Sequence, residues 1–161
     1  MNKITWDDYF MTMVYLVAMR SKDHSTHIGA VIVDDRNVVR SMGYNSFVRG
    51  IDDDIPERQM RPEKYFWLEH AERNAIFNAG QNLIGCRMYT NGVPCMDCAR
   101  GIVQVGIKEV IVDKSWDDNN VEKWKEHADR TLEMFKEAGV TIRYWDNELI
   151  EVYKFRRGRK I

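Results

Sequence analysis

A three-layer α/β/α domain around a five-stranded, mixed and mostly parallel sheet is predicted by three features of this 161-residue sequence. Two short β-branched runs, Ile28 to Val33 and Val38 to Tyr44, flank a polar turn and form a hairpin. Three further runs of that kind alternate with stretches of helical periodicity, and an initial hairpin followed by such alternation builds a layered α/β domain. Gly80, Gly106 and Gly139 each close a helical stretch where a C-cap is wanted. An apolar content of 44% supports one core, so one domain is expected over residues 1–145, followed by a polar and basic tail over 146–161.

The elements follow in order. Thr5 caps a first helix from Trp6 to Met19, whose opening Asp7 and Asp8 suit the positive end of the helix dipole. The Met and aromatic stripe of this helix reads as core. After the hairpin, Asn45 to Leu68 is a long irregular connection with two prolines and the acidic run Asp52 to Asp54, which reads as a solvated loop rather than a metal site. His70 to Ala79 is an apolar-faced helix and Cys86 to Thr90 a strand. Pro94 takes the first position of a third helix that runs to Val105. Lys108 to Val112 is a strand, Ser115 to Asn120 a loop, Val121 to Ala138 a fourth helix and Val140 to Trp145 the last strand.

Twenty-four Lys and Arg balance 25 Asp and Glu, so the net charge of −1 offers no general attraction to nucleic acid or to an anionic membrane. The basic tail, with Lys154, Arg156, Arg157, Arg159 and Lys160, reads as solvated or subunit-contacting. The first residues are too polar and acidic for a signal peptide, and no apolar run is long enough to span a bilayer. Of three cysteines, two form a C-x-x-C pair, which suits metal ligation in a reducing, cytoplasmic setting, and Cys86 is left as a buried structural thiol.

The chemistry concentrates between His70 and Cys98. His70, Cys95 and Cys98 supply one imidazole and two thiols, the ligand count of a catalytic Zn2+ site with one position left for water. Two helix N-termini at these residues favour thiolate over thiol. Glu72, two residues beyond a ligand histidine, has no purpose in a structural zinc knot but suits a general acid and base. The pattern H-x-E followed by P-C-x-x-C is the signature of zinc nucleobase deaminases, in which that Glu shuttles protons while water activated by the metal attacks the ring carbon bearing the amine. No organic cofactor is required. His24 and His27 lack further ligands nearby, and spacing alone leaves Arg20 and Lys22 as solvated charges at a helix end.

From Trp6 to about Val112 the sequence resembles the cytidine and deoxycytidylate deaminase superfamily, and within it the deoxycytidylate (dCMP) deaminases. The resemblance is carried by Trp6 to Met11, Arg20-Ser21-Lys22-Asp23, Ile28 to Val33, Gly43-Tyr44-Asn45, His70 to Ile76, Pro94 to Arg100 and Gln104 to Val110. It implies a cytidine-deaminase-like fold and zinc-dependent conversion of dCMP to dUMP and ammonia, supplying thymidylate synthesis. It also implies His70, Cys95 and Cys98 as zinc ligands, Glu72 as proton shuttle, Asn45 at the substrate sugar and base, and Arg20 and Lys22 among the phosphate contacts. Homo-oligomers, commonly hexamers, and control by dCTP and dTTP with Mg2+ accompanying the triphosphate are further implications. Ser46 stands where the family has a glycine after the Asn, adding a side chain where backbone would otherwise approach a ligand. The alternatives are the same zinc chemistry on another nucleotide, a nucleoside, a free base or a tRNA adenosine, and a zinc-stabilised nucleotide-binding module without turnover.

Overall fold

A computed structural model of the chain describes residues 3–118 and 122–161. Helix α1 spans Trp6–Ala18 and starts as a capping box: the Thr5 hydroxyl accepts from the Asp8 N–H at 3.1 Å and the Asp8 carboxylate accepts from the Thr5 N–H. Strands β1 (Gly29–Val33) and β2 (Val39–Tyr44) form the expected hairpin. Strands β3 (Ser46–Phe47) and β4 (Leu68–Glu69) pair as a small separate ribbon, and helix α2 follows over Ala71–Ala79. Then come β5 (Arg87–Thr90), α3 (Met96–Gln104), β6 (Glu109–Asp113), α4 (Lys114–Asp118), α5 (Glu122–Ala138) and β7 (Thr141–Trp145). A short exposed hairpin of β8 (Phe155–Arg156) and β9 (Arg159–Lys160) lies in the C-terminal segment.

Among the described residues the central sheet has five strands in the order β2-β1-β5-β6-β7. It is mixed, as expected, but not mostly parallel: β1 pairs antiparallel with both β2 and β5, whereas β5-β6 and β6-β7 are parallel. Every residue of β1 is buried, because successive side chains serve opposite faces and both faces are covered. Val31 and Val33 meet Phe10, Met11 and Val14 of α1. Ala30 and Ile32 belong to the second cluster, with Ala71 and Ala75 of α2, Ile102 of α3 and Phe135 of α5. The three-layer arrangement is therefore α1, the sheet, then α2, α3 and α5.

Three local expectations are corrected. Residues 114–118 form α4 rather than loop, because the Asp113 carboxylate accepts from both the N–H (2.8 Å) and the hydroxyl (2.7 Å) of Ser115 and so caps a helical turn; 119 and 120 lie outside the described residues. The connection 45–68 contains β3, β4 and two 3-10 turns, Pro56–Gln59 and Glu63–Phe66, each too short to leave a periodic signal. Pro94 precedes the N-cap Cys95 instead of occupying the first helical position.

Helix α2 lies against β2 at backbone distance. A Cβ at Gly43 would overlap Ala75 N and Ala71 O and lie 2.8 Å from Asn74 C. Ser41 Oγ donates to Ala75 O at 2.6 Å and Asn74 Nδ2 to Tyr44 O at 2.9 Å, so the helix cannot slide away without losing both bonds. Gly43→Ala is therefore expected to destabilise folding by about 3 kcal/mol, the upper part of the overpacking range. It should also weaken metal retention, because α2 carries His70 at its start. Denaturant unfolding and metal content of the purified variant check this, and wild-type values for both would show that α2 has room to move.

Candidate active site

His70 and Cys95 are the N-caps of α2 and α3. Both side chains turn toward a common point between the two helix starts. Cys98 follows in the first turn of α3. His70 Nδ1 lies 3.4 Å from Cys95 Sγ and 3.5 Å from Cys98 Sγ, and the three donor atoms all lie within 4.8 Å of one another. A tetrahedral Zn2+ with Zn–N of about 2.0–2.1 Å and Zn–S of about 2.3 Å requires N···S edges near ~3.5 Å. The donor set and its spacing fit that ion.

The surroundings hold this triad in place. Glu69 accepts from the His70 N–H at 2.9 Å and from Arg73, fixing the entry to α2. On the other side the fully buried Thr131 of α5 donates to Pro94 O at 2.8 Å, fixing the entry to α3. The Cys95 thiol is held down to about 4, first by the hydrogen bond from Cys98 and then by His70, against the effect of burial. Cys98 is correspondingly raised by its bond to Cys95 and by burial.

Glu72, only 6% exposed, lies on the first turn of α2 with Oε2 3.6 Å from Cys98 Sγ, outside the donor triad. Burial is the main influence on its carboxyl group and raises its pKa. Burial thus favours the protonated form, and a carboxyl group shielded from water in this way suits an acid-base role.

His70, Cys95 and Glu72 line a cleft of about 1000 Å3, and Cys98 is buried. Asn45 lines it, with Oδ1 accepting from the Ile28 N–H and Nδ2 donating to Thr26 O, both at 2.8 Å. Arg20 and Lys22 are not among the lining residues; both are exposed, and Lys22 pairs with Asp53. The acidic run 52–54 is thus engaged, in part, with Lys22. His27 lines the cleft away from the metal triad, and Cys86 is buried in the core as expected.

Sequence reasoning missed Lys64 and Asp23. Lys64, 3% exposed, reaches from the long connection into the cleft wall and donates to both oxygens of Asp23 (3.0 and 2.8 Å) and to Ser25 Oγ (2.6 Å). Asp23 sat inside a block already singled out, but a lysine in an aperiodic loop carries no local mark of burial. Arg61, Trp116 and Trp124, also on the wall, were equally silent, and Arg73 sat inside the His70 to Ile76 block without a role.

Fold and site together define a class: an α/β domain with a His-Cys-Cys group whose spacing fits a metal ion and a buried carboxyl group beside it. The family model described as the cytidine and deoxycytidylate deaminase zinc-binding region matches residues 4–114. The chain belongs to this family. Mouse deoxycytidylate deaminase is 40% identical over 148 residues, covering 87% of this chain and 79% of the mouse protein. A probable deoxycytidylate deaminase of Drosophila melanogaster is 44% identical over 117 residues, 66% of this chain and 58% of the fly protein. In fold, the chain is similar to the dCMP deaminase of cyanophage S-TIM5, solved with dCMP and dUMP: TM-score 0.68 at 19% identity, over 90% of this chain and 100% of that one.

Proposed function

We propose that this protein hydrolyses dCMP to dUMP and ammonia, with His70, Cys95 and Cys98 holding one Zn2+ and Glu72 moving the protons. The observation that carries this is the buried Glu72 carboxyl group beside a His-Cys-Cys triad of tetrahedral spacing. Family membership and the deoxycytidylate deaminases among the relatives support the substrate. When bound, Zn2+ supplies Lewis acidity that makes water a competent nucleophile at neutral pH. Glu72 accepts a proton from the attacking water and delivers it to ring N3, so that C4 becomes electrophilic and the C4–O bond forms. Glu72 then takes the remaining proton from the new C4 hydroxyl and passes it to the exocyclic nitrogen, the C4–N bond breaks, and ammonia leaves with the oxo base retained. Asn45, on the cleft wall, is proposed to meet the sugar and base.

The deaminase domain covers residues 1–145, with 146–161 outside it. No helix among the described residues is long and apolar enough to cross a membrane, and the free thiols of Cys86, Cys95 and Cys98 suit a cytoplasmic setting. Assembly into a homo-oligomer, with a hexamer as the form, and a response to a nucleoside triphosphate with Mg2+ belong to the same proposal. Ser46, at the start of β3 next to the cleft residue Asn45, is the position at which that response would differ.

Ammonia release by the purified protein given dCMP, CMP, deoxycytidine and dCTP in turn, with metal content measured on the same sample, tests this function. Turnover of dCMP with about one zinc per chain is expected. Full zinc occupancy without turnover of any cytosine compound would overturn the substrate class and direct attention to purine nucleotides and tRNA.

A further inference from the structure

A phosphomonoester carries up to two negative charges, and a site that selects it must offer a donor whose charge is not already spent on a carboxylate. The cations lining the cleft differ sharply in this respect. Lys64 is neutralised by Asp23, with both partners buried. Arg73 is paired to Glu69, at the end of β4, and lies 3.7 Å from Asp97. Arg61 lines the same cleft, and among the described residues it has no ion pair or hydrogen bond from its side chain.

The backbone that carries Arg61 is nevertheless held firmly. The Lys64 N–H donates to Met60 O at 2.9 Å, closing a turn around residues 60–64, and the Tyr65 N–H donates to Pro62 O at 3.1 Å. The Lys64 side chain anchors that turn through three bonds to Asp23 and Ser25. Arg61 is thus a free guanidinium presented on the cleft wall from an anchored turn, and α4 and α5 bring Trp116 and Trp124 to the same cleft.

We propose that Arg61 holds the 5′-phosphate of the substrate and so selects nucleotide over nucleoside, a role that rests on the nucleotide-deaminating function above. Its guanidinium offers paired donors to the phosphate oxygens, and losing it removes charge and geometry together. The place in the cleft that Arg20 and Lys22 do not reach is filled by this residue.

The test is steady-state kinetics of the metal-loaded protein on dCMP and on deoxycytidine, with inorganic phosphate as competitor, for wild type, Arg61→Ala and Arg61→Lys. Arg61→Ala should raise KM for dCMP about tenfold to a hundredfold, the loss of a charge-assisted contact, with little change in kcat. Inorganic phosphate should compete with dCMP in wild type and much less in Arg61→Ala, and Arg61→Lys should fall between them. A merely structural role would not move phosphate competition. Wild-type KM and phosphate competition in both variants would overturn the role of Arg61 while leaving dCMP deamination intact. A wild-type protein that does not deaminate dCMP would overturn the substrate and this role together.

Discussion

Glu72→Gln is expected to retain metal and bind dCMP as tightly as wild type while kcat falls by about three powers of ten, within the range for loss of a general acid-base group. Glutamine keeps the size of the buried side chain, so neither α2 nor the donor triad is disturbed. It cannot accept a proton from water or carry one to N3 and then to the exocyclic nitrogen. Two transfers depend on one carboxyl group, and no second carboxylate belongs to the donor group around His70, Cys95 and Cys98 among the described residues. Metal analysis, dCMP binding by calorimetry and rapid-quench turnover separate the contributions. Unchanged turnover would remove Glu72 from the mechanism, and loss of metal would make it a ligand.

The second large effect lies at the wall of the cleft. Lys64→Met leaves the Asp23 carboxylate buried without its counter-charge, although Ser25 still donates to it from N–H and hydroxyl at 2.8 and 2.9 Å. Breaking a buried pair from one side destabilises by about 3–5 kcal/mol, and the surviving Ser25 bonds place this case at the lower end. Adding Asp23→Asn should restore most of the loss, because a neutral amide needs no counter-charge. Denaturant unfolding of the two single variants and the double variant measures the coupling, and simple additivity would show that the pair is not coupled. The sign with pH is determined as well. Burial raises the Asp23 pKa, but the Lys64 and Ser25 bonds outweigh it and hold it below 3.8. Its stabilisation is therefore complete above about pH 4 and is lost as pH falls through the folded value. Lys64→Met should lose much of this acid-side dependence.

The proposed metal and acid-base residues were legible as candidates in the linear sequence because each has a neighbour at fixed spacing. His70 and Glu72 share one helix start, and Cys95 and Cys98 share another, so their relations are local and survive as H-x-E and C-x-x-C. The three-layer α/β class and most element boundaries were legible for the same reason, since helical and strand periods and glycine stops act within a few residues. What the sequence by itself determined is thus a metal-dependent deaminase built on an α/β domain. Only the tertiary structure decided the rest. The even division of parallel and antiparallel pairing is set by which strands become neighbours, and the two-residue strands β3 and β4 exist only through each other. The burial of Lys64 against Asp23, 41 residues apart, and the exposure of Arg20 and Lys22 depend on how the 45–68 connection closes over the cleft. A charge looks the same in sequence whether it faces water or a buried partner, and the difference is created by packing between segments that no short-range pattern connects.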